Sequence, residues 1–520
     1  MKKFVETFQK DIIGTISGFD RMIIKGIIHG FFMGSGFYKF LVKEGVKLMD
    51  FKEYSIKTTT SIKEHLERYI CSSGCHHEYL NSPNISKEGT AKRIMKDKNI
   101  TEGLICALSV VEPCRVMTIR LNRSTNKLEQ SNEFRKCLHY YFYYIDQTFG
   151  FMHVKIQIWF PFNIQIYING KSYLMQQLKK EGIGFTSYNN CITSVENLER
   201  AQQISDKLHE KKWHPVFDMF AKRVNNLLPK IAGIFDGHAY KWVIDECEYA
   251  TDVLFKSREG LEKYLPYFFE YASLCQMGYN IYSFFGRKPH GLCQGEAVSD
   301  RKYFWNQGFR VKFTLDKNSI KIYDKDSVLR IETTINNANA FKIRNPNPQG
   351  KKKWVPMQKS ISCLYRYAEV AKACNLRYLE SLNVVNRNNV LDKKIEQLCN
   401  SVEVKLSEKS GSTPRKYAGF NLLSHFTSSV LNAILNGAFK IRGFQNKDLR
   451  FLLIQSGAFS KQQMNVVKKI SGIITRLIAK LRAHKIVYKL PKTSRYRVTN
   501  NGEEIISRIL LFKKLDMKFC

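Results

Sequence analysis

Five β-patterned stretches crowded between Gly103 and Ile168 constrain the fold of this chain more than any other feature. Leu104–Val111, Arg115–Leu121, Lys136–Ile145, Phe151–Trp159 and Phe162–Ile168 are rich in β-branched and aromatic residues. Turn formers such as Arg123-Ser124-Thr125-Asn126 stand between them. Parallel strands need crossovers of a dozen or more residues, for which most of these connections leave no room, so an antiparallel sheet is expected. A second cluster, Phe309–Leu315, Ser319–Asp324 and Val328–Asn336, is joined by Asp316-Lys317-Asn318 and Lys325-Asp326-Ser327 and reads as a meander. Phe19–Ile28 is a further short strand pattern.

Helical periodicity marks Phe31–Glu44, Phe51–Ile70, Lys171–Glu181, Val195–Lys211, Pro215–Leu228, Leu261–Phe285 and Ser360–Val385. The fold class expected is α+β, an antiparallel sheet body with flanking helices. Asn345–Pro356, with three prolines and Lys351-Lys352-Lys353, reads as an exposed basic loop or linker. The Ser- and Gly-containing stretch Glu403–Arg415 is the best domain boundary. The chain of 520 residues thus divides into an α+β segment (1–100), a central body (101–345), a basic linker with helices (346–415) and a C-terminal domain (416–520).

In that last domain, helical patterns at Phe420–Leu435, Asn446–Ile454 and Lys461–Ala483 precede two short strands, Ile486–Leu490 and Arg495–Thr499, and a final helix. Val466, Ile470, Ile473, Ile474, Leu477 and Leu481 make one apolar face of the long helix. Lys468, Lys469, Thr475, Arg476 and Lys480 fall elsewhere on it, and Lys492, Arg495 and Arg497 fall on the hairpin. This is the element order of a winged helix-turn-helix. Between Asp448 and Glu503 stand twelve Lys or Arg and no acid, a one-signed field suited to phosphate.

Eighty-three Lys and Arg against 46 Asp and Glu give a formal net charge of +37, which points to a polyanion. Duplex DNA is the first candidate, with single-stranded DNA and RNA as alternatives. Ile23–Phe40 is broken by Lys25, His29 and four glycines, so neither a membrane span nor a membrane partner is expected. Lys2, Lys3, Glu6, Lys10 and Asp11 leave no apolar signal-peptide core, which predicts a cytoplasmic protein. Most of the thirteen irregularly spaced cysteines read as reduced thiols with ordinary packing roles. Cys71, Cys75, His76 and His77 cluster without a second ligand pair and read as a polar loop before a strand. Without a Gly-Lys-Ser or Gly-Lys-Thr phosphate loop, an ATP-driven motor is excluded.

Two local resemblances sharpen these expectations. Arg476 to Gly502, with Leu481, Ile486, Tyr496-Arg497-Val498-Thr499 and Gly502, resembles the winged helix of MarR-type bacterial regulators, which implies DNA binding through Lys468, Lys469, Thr475, Arg476, Lys480, Lys492, Arg495 and Arg497, with Lys351, Lys352 and Lys353 as further cations. Ile320-Lys321-Ile322-Tyr323-Asp324-Lys325 followed by Leu329-Arg330-Ile331-Glu332 resembles a strand pair of rolling-circle replication initiators. That resemblance implies a metal-dependent DNA-nicking site, with Glu332 holding Mg²⁺ or Mn²⁺ and Tyr323 and Asp324 as catalytic candidates. Tyr140-Tyr141-Phe142-Tyr143-Tyr144, Tyr279 and Tyr282 offer other nucleophiles, and Asp20, Glu112, Asp146, Glu248 and Asp252 other carboxylates. The two histidines separated by one apolar residue that mark the main nickase superfamily are missing; His153 on a β pattern is the nearest feature.

The whole chain also resembles a broad group of uncharacterised bacterial proteins, which implies one continuous architecture. Three functions stay open: a DNA-binding protein of a mobile or plasmid-like element that nicks or transfers strands, a non-catalytic transcriptional regulator, and a single-stranded RNA binder. A pseudo-palindromic site would imply a homodimer.

Overall fold

The computed structural model describes residues 2–235, 237, 239–274, 278–287, 297–304, 308–346, 352–383, 395–404, 414–422, 424–459 and 467–516. They form a mixed α+β structure around a large sheet, as the α+β class anticipates. Its strands are β1 (Ile12–Ile27), β2 (His76–Leu80), β3 (Gly103–Asn122), β4 (Lys127–Asp146), β5 (Gly150–Gln157) and β6 (Ile164–Asn169). After a separate hairpin, β7 (Phe185–Ser187) and β8 (Ile192–Val195), come β9 (Lys241–Phe255), β10 (Ala297–Phe304), β11 (Gly308–Leu315), β12 (Asn318–Lys325) and β13 (Val328–Ile335).

The chain divides into two compact units, each assembled from separated segments, where the sequence reading takes four consecutive ones. The body unit holds residues 15–252 and 332–372, with strand order β13-β9-β1-β6-β5-β4-β3-β2. The other unit holds residues 1–14, 253–331 and 373–520, with order β10-β11-β12-β13.

In the body, alternation decides which face is covered. Met22, Ile24 and Gly26 of β1 are buried while Arg21, Ile23 and Lys25 are half-exposed. In β4 the alternation is lost because both faces are covered. Phe142 packs against Tyr69 of the helix Phe51–Ser73, and Tyr141 and Tyr143 join Ala91 and Ile94 of the helix Lys87–Asp97.

Several expectations are corrected. Leu104–Val111 and Arg115–Leu121 are one strand, β3, running through Pro113. β2 pairs with β3 only from Cys106 to Val110, so at Pro113 the missing N–H faces an unpaired edge and costs no ladder bond. That β2–β3 pair is parallel, unlike its neighbours, and the helix Lys87–Asp97 supplies its crossover. β9 has no counterpart in the sequence reading. Pro215–Leu228 is two helices, His214–Val224 and Leu228–Ile234. The ends of Asn345–Pro356, read as a loop or linker, are strands: β14 (Lys342–Pro346) and β15 (Lys352–Pro356) pair antiparallel, the Arg344 guanidinium sits 5.0 Å over the Trp354 ring, and residues 347–351 lie outside the described residues.

The C-terminal segment begins with paired β16 (Val402–Val404) and β17 (Arg415–Tyr417). Helices His425–Ile434, Gly437–Arg442, Asn446–Gln455 and Val467–Ala483 follow, then β18 (Val487–Lys489), β19 (Tyr496–Val498) and the helix Asn500–Asp516. The expected start of the long helix at Lys461 lies outside the described residues. Val430, Ile434, Leu449, Leu453, Ile470, Ile474, Ile478, Leu481, Ile486 and Ile506 form one buried cluster. The apolar stripe of the long helix therefore faces the core of this segment, and its polar residues are left for the surface.

Candidate nucleic-acid interface

The site is built where the helix Asn446–Gln455 begins, alongside Val467–Ala483 and the β18–β19 hairpin. The Asn446 amide locks the two helices: its Nδ2 donates to the Ser471 carbonyl at 3.0 Å and to Thr475 Oγ1 at 2.9 Å. The neighbouring Gln445 Nε2 donates to Ser494 Oγ at 2.7 Å, which ties the helix start to the hairpin turn. Phe444 adds to the hairpin by exchanging two 2.8 Å backbone hydrogen bonds with Tyr496. Gly443 makes that approach possible; its φ is +66° and a Cβ there would sit 2.9 Å from the Tyr496 oxygen.

Between these elements lies a cleft of about 510 Å³ lined by Gln445, Asn446, Lys447, Thr475, Ile478, Ala479, Arg482, Ser494 and Tyr496. Lys447, Thr475, Arg476, Arg482, Lys489 and Lys492 are exposed. Asp448 accepts from the Gln445 backbone N–H at 2.9 Å and lies 3.8 Å from Arg495. Its charge is thus used inside the segment, and the surface around the cleft carries cations.

The cations named from the sequence divide into two sets. Thr475, Arg476 and Lys492 are exposed as expected. Lys480, Arg495 and Arg497 are spent on the fold instead. Lys480 Nζ donates to the Gly419 carbonyl at 2.8 Å and sits 4.1 Å over the Phe420 ring. Arg495 donates to the Gly443 carbonyl at 3.0 Å and Arg497 to the Ile441 carbonyl at 2.8 Å, joining the hairpin to the preceding helix. Lys353 is exposed on β15. Lys351 lies outside the described residues, as do the side chains of Lys352, Lys468 and Lys469. Arg482 and Lys489, not singled out in the sequence reading, were legible only as part of the one-signed run, and Lys447 lies just before it.

The nicking candidates lie elsewhere. Asp324 is 7 % exposed and accepts from Arg258 at 2.6 Å, while the same guanidinium donates to the Asp326 carbonyl and to Glu262. Tyr323 is half-buried beside Lys325 and belongs to the same unit as Asp324. Glu332 belongs to the body unit and is only 2 % exposed. Its charge acts on Arg21, which is bonded to Glu246 and lies 3.4 Å from Glu248. Burial pulls the Arg21 pKa down, but Glu248, Glu246, Tyr167 and Glu332 together hold it above its ordinary value.

The remaining carboxylates are committed one by one. Asp252 pairs with Lys171 at 2.6 Å, both buried. Asp20 accepts from Asn169 and Asn190, and Asp146 from the Thr148 and Phe149 backbone. Glu112 accepts from Lys155, Lys87 and Tyr141; burial opposes its charge, yet these bonds hold its pKa down at about 2. His153 lies stacked 5.1 Å from Tyr167, and burial pushes its pKa down to about 3. His77, of the early Cys/His cluster, is bound to Ser109 Oγ and stacked on Tyr140.

No protein-family model, curated protein or solved structure matches this chain. No helix among the described residues is long and apolar enough to cross a membrane.

Proposed function

We propose that the chain binds duplex DNA through its C-terminal segment, acting as a winged helix-turn-helix. In this reading His425–Ile434 is the first helix, Asn446–Gln455 and Val467–Ala483 are the helix-turn-helix pair, and β18–β19 with Phe444 is the wing. One observation carries it. Lys447 and Arg482 line the cleft, Arg476, Lys489 and Lys492 are exposed on the helix and hairpin bordering it, and the Asp448 carboxylate is consumed by a helix cap. Clustered exposed cations on a helix and its adjoining hairpin suit the phosphates flanking a groove.

The form of this reading that the buried positions favour is a regulator that binds without strand chemistry. A metal-assisted nick needs a carboxylate open to both Mg²⁺ and phosphate, and Glu332 and Asp324 are enclosed.

The test is fluorescence anisotropy of the full chain with labelled duplex DNA, single-stranded DNA and single-stranded RNA across a salt series, with a parallel denaturing gel in Mn²⁺. Duplex preference, a steep salt dependence and uncut DNA are expected. Tighter binding to single-stranded RNA, or duplex binding unchanged when Lys447, Arg476 and Arg482 are all replaced by Gln, overturns the assignment. A Mn²⁺-dependent nick would restore the initiator reading.

A further inference from the structure

A group of side chains in the body unit, remote in sequence from the basic segment, has the chemistry of a metal site. β3 and β4 pair with Glu112 opposite Cys137 and Cys114 opposite Arg135. With the two-residue period of a strand, Glu112, Cys114, Arg135, Cys137 and His139 share one sheet face. Cys114 and Cys137 meet diagonally on it and are joined as a disulfide, their Cα atoms 6.8 Å apart. One ring nitrogen of His139 completes a set of three ligand atoms that lie within 4.8 Å of one another.

We infer that, once a thiol or phosphine reductant has opened that disulfide to two thiols, Cys114, Cys137 and His139 form a three-ligand site for a thiophilic divalent cation, and that zinc is the ion whose ligand preferences it matches. Two thiolates and an imidazole are borderline-soft donors of the kind zinc selects over magnesium or calcium. Nδ1 of His139 lies 3.1 Å from the Cys137 carbonyl, which accepts its proton and leaves Nε2 with a lone pair for a metal. That ring is buried, whereas Cys114 and Cys137 are half-buried and leave an ion a way in.

Local charge favours the thiolates. Glu112, directly opposite Cys137, is bound by both Lys87 at 2.8 Å and Lys155 at 2.7 Å, so two cations face one anion beside the sulfurs. A Cα separation of 6.8 Å is at the far end of what a disulfide spans. Two bonds of about 2.3 Å from sulfur to zinc bridge it once the side chains rotate apart.

The experiment uses the full-length chain, reduced with a phosphine and stripped with a chelator. It is titrated with Zn²⁺ against a chromogenic indicator and with Co²⁺ followed by absorption. One tight equivalent and a sulfur-to-cobalt charge-transfer band are expected. Cys114→Ser with Cys137→Ser should abolish both, and His139→Gln should weaken binding by roughly tenfold or more. Cys71→Ser with Cys75→Ser should change neither. A readout that needs no variant is alkylation of the wild-type chain, where zinc should protect Cys114 and Cys137. The inference is overturned if no tight equivalent binds, if it survives the double variant, or if zinc leaves the alkylation of both cysteines unchanged. It is also overturned if the two sulfurs stay joined as a disulfide that reduced chain re-forms in the presence of zinc.

Discussion

The Asn446 side-chain amide donates to Thr475 Oγ1 at 2.9 Å and to the Ser471 carbonyl at 3.0 Å, so one uncharged group, together with the buried apolar stripe, holds the helix Val467–Ala483 in its rotation about its axis. Removing it should rotate the exposed cations off register. Asn446→Ala is expected to cost about 1 kcal/mol in urea unfolding and to weaken duplex binding with a shallower salt slope, because cations turned away from the phosphates release fewer counterions. An unchanged salt slope in that variant would show that Asn446 does not orient the cations.

Arg476 and Arg482 are exposed on the same helix and Lys447 on its neighbour. Each one that contacts a phosphate should, on replacement by Gln, reduce the slope of log affinity against log salt by about 1. Anisotropy titrations at several salt concentrations read this directly, and urea midpoints of these variants should stay within about 0.5 kcal/mol of the parent.

Lys480 gives the opposite pattern. Its ammonium caps the Gly419 carbonyl and covers the Phe420 ring, so Lys480→Ala should lower stability by about 1–2 kcal/mol and leave the salt slope as it was. Equal loss of slope in Lys480→Ala and Arg476→Gln would place both on the DNA.

His153 makes stability depend on acid. Its folded pKa is pushed down to about 3 against an ordinary 6.5, so between those values the unfolded chain binds more protons than the folded one. Stability therefore rises with pH across that window and is lost as pH falls through it. Glu112, held at about 2 against 4.5, acts in the same direction at lower pH. His153→Phe keeps the stack on Tyr167 and removes the titration. Urea midpoints measured from pH 7 to pH 4 should fall less steeply in that variant than in the parent.

Elements with a clean period were legible from the residues alone: β5, β6, β12, the end of the long C-terminal helix and the hairpin after it all fall within a few residues of expectation. β9 was missed because Asp245, Glu246 and Glu248 interrupt its apolar pattern. Lys25 and Arg21 neutralise them across the neighbouring strand, a pairing no single-strand pattern contains. β14 and β15 were read as a loop because prolines and lysines dominate them, although Pro346 and Pro356 sit at the ends of their strands, where a missing donor is tolerated. The site divides along the same line. That the C-terminal segment is basic follows from composition, but which cations are free depends on backbone carbonyls such as those of Gly419, Ile441 and Gly443, which have no sequence signature. Likewise, spacing drew attention to Cys71, Cys75, His76 and His77, whereas strand register brings together Cys114, Cys137 and His139.

The interleaving of the two units bears on how the chain can reach its fold as it leaves the ribosome. Phe4 and Phe8 pack against Phe268, on the helix Leu265–Leu274, and that helix packs against the terminal helix Asn500–Asp516. The helix Gly278–Phe284 packs against Gly437–Arg442 in the same way. Phe4 and Phe8 must therefore wait for partners synthesised far later, and the unit they belong to closes only when the helix Asn500–Asp516 emerges. Such high contact order predicts slow, late maturation of the nascent chain, and a basic segment cut out at residue 416 would leave behind surfaces it normally covers.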